Sequence, residues 1–558
     1  MTSDKKNAAL LADLFVKYGL EDIIISPGSR NAPLIISFAG NTAINALSIV
    51  DERSAAFYAL GMAQQKKKAV ALACTSGSAA LNYAPAIAEA YYRKVPMLIF
   101  TADRPAEYID IGDGQCIRQE DVFKNYVKSS FNLHENLDSE TSVALANNII
   151  NKAFHSAHYP EPGPVHINLP FNEPLYQTAE DDFITGKREV PETNNRQPSE
   201  KYLKNLADKW NSYERIMLIA GQMDKNKRLN RILNEMISGK NFVLLTETTS
   251  NLYGENFVGC IDNVLSAIHD NEKKIFKPDL LITFGGHVVS KKIKKYLREF
   301  QPEEHWHISP SGEKLNTYFC LTETIKSEVT DFFERINSYI KPAVPVFGRT
   351  WLRKRNRVIK RRDDFLKNVE FSDLKVFEII LDHLPTGTKL HLGNSTPVRY
   401  SQLFGNKEWI TFYSNRGVSG IDGHLSTAAG TAKVSENLNV VITGDLGFFY
   451  DLNALLNIPE NLKIVLINNG GGGIFRFIPG PDTSPYLEKY FEAKHNRKAE
   501  KFVKAYGLNY FKAADVREIM EALPEFFNKN ESAAVLEIFT PEEKNAKILK
   551  EYFEFLSL

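Results

Sequence analysis

Short runs of β-branched and large apolar residues alternate with longer segments of helical period along the whole chain, and this alternation constrains the fold more than any other feature. Strand-like runs occupy Asp22–Ser26, Leu47–Ile49, Ala69–Ala73, Val95–Phe100 and Val165–Asn168. A second group follows at Ile216–Ile219, Phe242–Leu245, Leu280–Phe284 and His305–Ile308. A third lies at Lys389–Leu392, Trp409–Tyr413, Val440–Thr443, Lys463–Ile467 and Ala533–Ile538. Strands joined through helices pair in parallel, and parallel sheets bury both faces, so the expected fold class is α/β, with three α/β domains whose parallel sheets are covered by helices. A length of 558 residues accommodates this at roughly 150 residues per domain. The expected limits are 1–176 for a first domain, 177–198 for a polar, aperiodic linker containing Pro191 and Pro198, and 199–345 for a central domain. A basic connecting segment, 346–373, then leads into a third domain, 374–558.

Lys and Arg number 68 and Asp and Glu 68, so no global field draws the chain to nucleic acid or an anionic membrane, and any anionic partner must be met locally. The most basic stretch, Trp351–Arg362, holds seven Lys and Arg but runs straight into Asp363 and Asp364 and lacks interleaved aromatics. It reads as the solvated face of a connecting helix rather than a nucleic-acid patch. Cys74, Cys116, Cys260 and Cys320 lie far apart with no C-x-x-C pair, which argues against a zinc ribbon or a disulfide framework and fits a reducing cytoplasm. No run approaches the ~20 apolar residues of a membrane span, and the N-terminal segment has helical spacing instead of an unbroken signal-peptide core. A soluble, cytoplasmic protein is expected. A Rossmann dehydrogenase is disfavoured, since no strand leads into G-x-G-x-x-G with a ribose-binding acid beyond it.

The chemistry concentrates behind two strands of the third group. Val440–Thr443 leads into Gly444-Asp445-Leu446-Gly447, and Ile464–Ile467 leads into Asn468-Asn469-Gly470-Gly471-Gly472-Gly473, with Asn469 24 residues beyond Asp445. Carboxyl ends of neighbouring parallel strands are where such sheets bind ligands. An Asp carboxylate, an Asn amide oxygen and a loop carbonyl are hard donors suited to magnesium holding phosphate oxygens, and glycines let the backbone approach phosphate closely. Either loop alone is a common turn; as a pair they resemble the diphosphate and metal motif of thiamine diphosphate enzymes. The resemblance implies thiamine diphosphate as cofactor and Asp445, Asn469 and the Gly471 carbonyl as ligands of Mg2+ (or Mn2+). It places Gly444, Leu446, Gly447, Gly472 and Ile474 beside the cofactor. Leu446 stands where the motif usually carries Gly, which points to a subfamily. The same resemblance implies a pyrimidine-binding first domain with an activating Glu, matched by Glu52 in Val50-Asp51-Glu52-Arg53-Ser54 at the start of a helix. A carboxyl held against the aminopyrimidine exchanges a proton with it and thereby promotes deprotonation of the thiazolium carbon.

Further segments narrow the family: Ser26-Pro27-Gly28-Ser29-Arg30, Thr101-Ala102-Asp103-Arg104-Pro105, Gly114-Gln115-Cys116-Ile117-Arg118-Gln119, Gly393-Asn394-Ser395-Thr396-Pro397-Val398-Arg399 and Ser414-Asn415-Arg416-Gly417-Val418-Ser419-Gly420-Ile421-Asp422-Gly423. With the two loops, they resemble the 2-succinyl-5-enolpyruvyl-6-hydroxy-3-cyclohexene-1-carboxylate synthases of menaquinone biosynthesis along nearly the whole chain. This resemblance implies a transferase, a carboligase acting on 2-oxoglutarate and isochorismate. Arg30, Arg104, Arg399 and Arg416 sit in loop contexts, and a guanidinium fork matches the carboxylates of two dicarboxylate substrates. The resemblance adds Ser29, Gln115 and Ser395, and the pair Lys291-Lys292, whose second member is commonly Arg in the family. It also places Ser419, Gly420 and Ile421 at the cofactor, Ile421 as the aliphatic residue that holds it bent. Ile474, Phe475 and Ile478 match an apolar wall beside the reacting carbon. A homodimer is the implied minimum unit, and a homotetramer is compatible with the same family. His166, His287, His424 and His495 have no paired catalytic partner in sequence and are expected to be structural or exposed. Two other readings stay open here: a different thiamine diphosphate-dependent 2-oxoacid decarboxylase or carboligase, and a non-catalytic paralogue acting as a binding module.

Overall fold

The computed structural model describes residues 1–180, 183–189, 197–478, 480–528 and 532–558. Two compact units emerge, one from Met1–Asn195, Gly417–Glu436 and Tyr450–Leu462, the other from Arg196–Arg416, Asn437–Phe449 and Lys463–Leu558. Three parallel sheets account for the three groups of strands. The first runs, edge to edge, Asn45–Ser48, Asp22–Ile25, Val70–Cys74, Met97–Asp103, Pro164–Pro170 and Ser129–Asn132. The second runs Val243–Thr246, Ile216–Ala220, Leu280–Phe284, Glu304–Ser309 and Glu323–Lys326. The third runs Thr411–Tyr413, Lys389–Leu392, Asn439–Gly444, Leu462–Asn468, Ala534–Phe539 and Asn509–Ala513.

Inner strands lack apolar–polar alternation because helices cover both faces. In the central sheet Ile216, Leu218 and Ala220 point into one core with Leu280, Ile282 and Phe284, while Met217 and Ile219 enter the opposite core with Leu281 and Trp351. Each sheet has one edge strand that the sequence pattern does not reveal: Ser129–Asn132, Glu323–Lys326 and Asn509–Ala513. All are only partly buried. An edge strand meets one neighbour and more solvent, so it has no need of a continuous apolar run.

Within the segment expected as a linker, Thr178–Ala179 pairs antiparallel with Thr2–Ser3. Beyond it the Gly186, Lys187 and Glu189 backbone N–H groups donate to Asp13, Asn147 and Asn151. Residues 181–182 and 190–196, Pro191 among them, lie outside the described residues. The basic stretch forms the helix Val346–Leu366. Its cations are less solvated than expected: Lys354 pairs with Glu272 at 2.8 Å, Arg355 donates to the Glu255 and Phe257 carbonyls, and Arg362 donates to the Leu403 carbonyl. Their role is to tie the helix to its neighbours. Among the described residues no helix is long and apolar enough to cross a membrane.

Candidate active site

In the first unit, Asp51 caps the helix Glu52–Lys66, its Oδ1 accepting the N–H groups of Arg53 (3.0 Å) and Ser54 (3.3 Å). Glu52 is therefore held at the first helical position, half-buried, with Oε2 accepting from Asn82 Nδ2 at 3.2 Å. The helix is fixed by backbone contact with the helix His424–Lys433. A Cβ on Gly61 would lie 2.0 Å from the Thr427 carbonyl, and one on Gly430 1.9 Å from that of Tyr58, so both positions require glycine. Ser54 and Ser426 share a hydroxyl hydrogen bond of 2.8 Å, and the buried Asp451 accepts from both Ser426 N–H and Oγ–H. Burial pushes the Asp451 carboxyl up to about 6, against the Ser426 donors that lower it. Neither Asp451 nor Ser426 carries a sequence signal; both are recognised only by what they touch.

The segment with Ser419, Gly420 and Ile421 hangs from another residue that sequence reading missed. Glu89, 1% exposed, accepts the N–H groups of Gly417 and Val418, each at 2.7 Å. A Cβ on Gly420 would strike Asp422 Oδ1 at 2.1 Å, and Ile421 stands 39% exposed beyond this turn. Three of the nominated residues, Gln115, Ser395 and Ser419, adopt positive φ (55°, 72° and 62°) without being glycine. Such backbone is unfavourable and persists where the surroundings impose it, often at ligand sites.

Ser29 and Gln115 are exposed, whereas Arg30 is 5% exposed, its guanidinium donating to the Phe171 carbonyl at 2.9 Å and pairing with Glu173 at 3.1 Å. Burial, then the charge of Arg104, lowers its pKa, which puts the two guanidinium groups in one neighbourhood. Arg104 reaches Asp113 at 3.9 Å. Around them Arg30 Nε, Asn31 Oδ1, Thr75 Oγ1, Ser76 Oγ and Arg104 Nε are buried without a hydrogen-bond partner among the described residues. These five polar atoms beyond strand ends are satisfied by no group among the described residues, which is compatible with a polar ligand there.

In the second unit, Asp445 opens the short helix that follows the strand Asn439–Gly444 and is 1% exposed. Its Oδ2 accepts the N–H groups of Gly470 (2.8 Å) and Gly471 (2.9 Å), and its Oδ1 that of Leu446 (2.6 Å). The two loops singled out in the sequence thus meet. Gly470 and Gly471 have φ of 83° and 152°, and a Cβ on Gly471 would lie 2.6 Å from the Glu492 carbonyl, so only glycine fits. Burial pushes the Asp445 carboxyl up to about 7 despite three backbone donors. A buried carboxylate with this bias gains from a cation, and Asp445, the Asn469 amide and the Gly471 carbonyl supply the oxygens to hold one. Gly444, Gly447, Gly472 and Ile474 line the same two turns.

His495, which no sequence signal singled out, stands beside Asp445 through its backbone and ring. Its N–H donates to the Gly470 carbonyl at 2.9 Å, and its Nε2 lies 3.6 Å from Asp445 Oδ2. Arg476 was likewise missed; in the turn Gly473–Arg476 it makes a bidentate bridge to Glu492 (2.6 and 2.7 Å), and the ring of the adjacent Phe475 lies 5.6 Å from that of Phe491. Ile478 is half-buried just beyond.

Arg416, 7% exposed, donates to Asn394 Oδ1 at 2.7 Å, and Arg399 donates to the Ser395 carbonyl at 2.5 Å. Burial lowers the Arg399 pKa, offset by Asp262 and Glu247. The buried Glu247 accepts the N–H groups of Val289 and Ser290 at 2.7 Å each and so anchors the helix Lys291–Glu299. The expected lysine pair divides there. Lys291 is exposed, while the Lys292 ammonium sits 3.6 Å above the Phe553 ring and donates to Ser266. Lys294, not nominated, lines a cavity with His287 and Tyr318 and feels the charges of Glu247, Arg416 and Arg399.

Comparison with known proteins agrees with this geometry. Residues 5–129 match the N-terminal TPP binding domain of thiamine pyrophosphate enzymes, 187–392 the middle domain of thiamine pyrophosphate enzymes, and 393–538 the C-terminal TPP binding domain. The chain is 44% identical to 2-succinyl-5-enolpyruvyl-6-hydroxy-3-cyclohexene-1-carboxylate synthase of Christiangramia forsetii, over 97% of each protein. It is 44% identical to the synthase of that name from Flavobacterium johnsoniae, again over 97% of each, and 39% identical to that of Porphyromonas gingivalis, over 100% of this chain and 98% of the relative. The chain belongs to the 2-succinyl-5-enolpyruvyl-6-hydroxy-3-cyclohexene-1-carboxylate synthase family of thiamine diphosphate-dependent enzymes.

Proposed function

We propose that the chain decarboxylates 2-oxoglutarate and joins the remaining four-carbon fragment, by conjugate addition, to isochorismate, releasing CO2 and 2-succinyl-5-enolpyruvyl-6-hydroxy-3-cyclohexene-1-carboxylate. The observation that carries this reading is the Asp445 carboxylate gripped by Gly470 and Gly471, in a chain whose first domain also offers a capped, positioned Glu52. When bound, thiamine diphosphate would supply an acidic carbon that becomes the nucleophile and a cationic ring that serves as electron sink. Asp445, Asn469 and the Gly471 carbonyl would hold a divalent cation, Mg2+ or Mn2+, whose charge would neutralise the diphosphate. Glu52 would hold and move a proton at its carboxyl.

Arg30 and Arg104 with Ser29 and Gln115, and Arg399 and Arg416 with Ser395, bind and orient the two dicarboxylates. Arg forks do this with little reorganisation, and oriented reactants replace a protein nucleophile. Ile421 and the wall of Ile474, Phe475 and Ile478 exclude water. In this reading residues 1–176 serve the pyrimidine, 374–558 the diphosphate, and the active unit is a homodimer or homotetramer in the cytoplasm. Light scattering that shows a fully active monomer would refute the assembly.

The discriminating experiment supplies thiamine diphosphate, Mg2+ and 2-oxoglutarate, with and without isochorismate, and identifies products by mass spectrometry. The synthase reading expects an adduct that requires isochorismate. Succinic semialdehyde formed equally well with and without isochorismate supports a simple decarboxylase, and no turnover supports a binding module.

A further inference from the structure

We infer that Asp373 is a positioning residue for the metal centre, holding the Asn469 side chain so that its amide oxygen, and not its nitrogen, faces the cation; this rests on the reading of Asn469 as a ligand. An Asn side chain rotated by half a turn presents an NH2 group where the oxygen was, and an NH2 group cannot ligate. What decides the rotation is the partner of Nδ2. Here Asn469 Nδ2 donates to Asp373 Oδ2 at 3.2 Å.

Asp373 lies 96 residues from Asn469, at the start of the helix Asp373–His383, and is 2% exposed. A first-turn acid that merely complements the helix dipole needs no burial. This one is enclosed in a network with a single direction. Thr540 Oγ1 donates to Asp373 Oδ1 at 2.6 Å, Asn545 Nδ2 donates to Thr540 Oγ1 at 3.4 Å, and Asn545 Oδ1 accepts the Asp373 N–H at 2.9 Å. A hydroxyl has one proton, and that of Thr540 is committed to Asp373. An ionised carboxylate only accepts. Asn545 Nδ2 thus satisfies Thr540, and Thr540 satisfies Asp373 Oδ1; the acceptor-only Oδ2 is left for Asn469, which must turn its NH2 towards it and its oxygen away. Residues that orient metal ligands in this manner typically control affinity by about 10–100-fold.

The test is a titration of the apoprotein with Mn2+ in the presence of thiamine diphosphate, followed by electron paramagnetic resonance, which reads metal occupancy without turnover. Asp373→Asn is expected to raise the Mn2+ dissociation constant about 10–100-fold. Asn469→Asp alone, which sets two carboxylates face to face, is also expected to weaken binding. The combined variant, D373N with N469D, restores one amide donating to one carboxylate and is expected to return the constant to within about threefold of wild type, a recovery that a merely structural role does not predict. Wild-type affinity in D373N, or a combined variant that binds no better than D373N, overturns the inference. If D373N does not fold, the combined variant alone decides. Asp445→Ala separates the two levels: retained Mn2+ affinity there refutes the metal site itself, whereas its loss alongside unaltered binding in D373N refutes only the part assigned to Asp373.

Discussion

The first and third domains carry the same sheet. If each domain's six strands are numbered in chain order, both sheets read 2-1-3-4-6-5. In both, an arginine follows strand 1: Arg30 in the turn behind it in one, and Arg399 in the other, where the loop setting expected from the sequence gives way to the helix Thr396–Gln402. The chemistry diverges behind the next strands. The first domain places its acid, Glu52, after strand 2 at a capped helix start, half-exposed and met by one amide; the third places Asp445 after strand 3, buried and gripped by three backbone N–H groups. On the proposed reading, the same topology delivers one carboxyl to exchange a proton and another to hold a cation. The sheet fixes where the loops converge, and burial and hydrogen bonding decide what each carboxyl does.

If this division holds, damage to the two acids differs in kind. Asp445→Ala is expected to have the largest effect, a loss of about a thousandfold or more in turnover, because the metal and diphosphate lose their anchor. Calorimetry should show cofactor binding lost with it. Glu52→Gln is expected to slow proton exchange at the reactive cofactor carbon by about a hundredfold or more, with cofactor affinity changed much less. Exchange is followed by NMR in deuterated water, and an unaltered rate removes the role from Glu52. If both variants lose binding equally, the contrast between the two domains is wrong.

The positions of these acids were legible in the sequence because each follows a strand in a local motif, and the inner strands were legible as apolar runs. The residues that hold the acids were not. Glu89 is 328 positions from Gly417, and Asp373 is 96 from Asn469; neither pairing leaves any local pattern. The edge strands Ser129–Asn132, Glu323–Lys326 and Asn509–Ala513 escaped for a related reason, since partial exposure removes the hydrophobic signal. The lysines of Lys291–Glu299 show the limit of motif matching: helix rotation puts Lys292 on Phe553 and Lys294 at the cavity.

The arginines sharpen the comparison on a smaller scale. Arg30→Lys and Arg399→Lys keep the charge but lose the fork, and each is expected to raise a KM by about tenfold with kcat less affected. Positions in separate domains predict that the two variants act mainly on different substrates. Steady-state kinetics with each substrate varied in turn checks this, and an equal rise in the same KM for both variants breaks the division.

The last expected effect, on stability and not on turnover, concerns the support beneath Glu52. Burial raises the Asp451 carboxyl from 3.8 to about 6, so between those values the folded chain holds a proton that the unfolded chain releases. Stability from this group is therefore present below pH 4 and is lost as pH rises towards 6, by about 2–3 kcal/mol at most. Asp451→Asn removes the titration. It also alters the hydrogen bonds to Ser426, so its absolute stability is no guide; the change in the difference from wild type is. Buried histidines such as His166, held down to about 3, pull the wild-type profile in the opposite direction but are common to both proteins and cancel. Chemical denaturation at pH 4.5 and at pH 7 should show D451N improving relative to wild type at the higher pH. Added Mg2+ and thiamine diphosphate should leave that relative gain in place, because Asp451 faces Ser426 and not the metal loop. A gain that the cofactor abolishes would mean that the supports of the two acids titrate as one network, and the contrast between the domains would end at their loops.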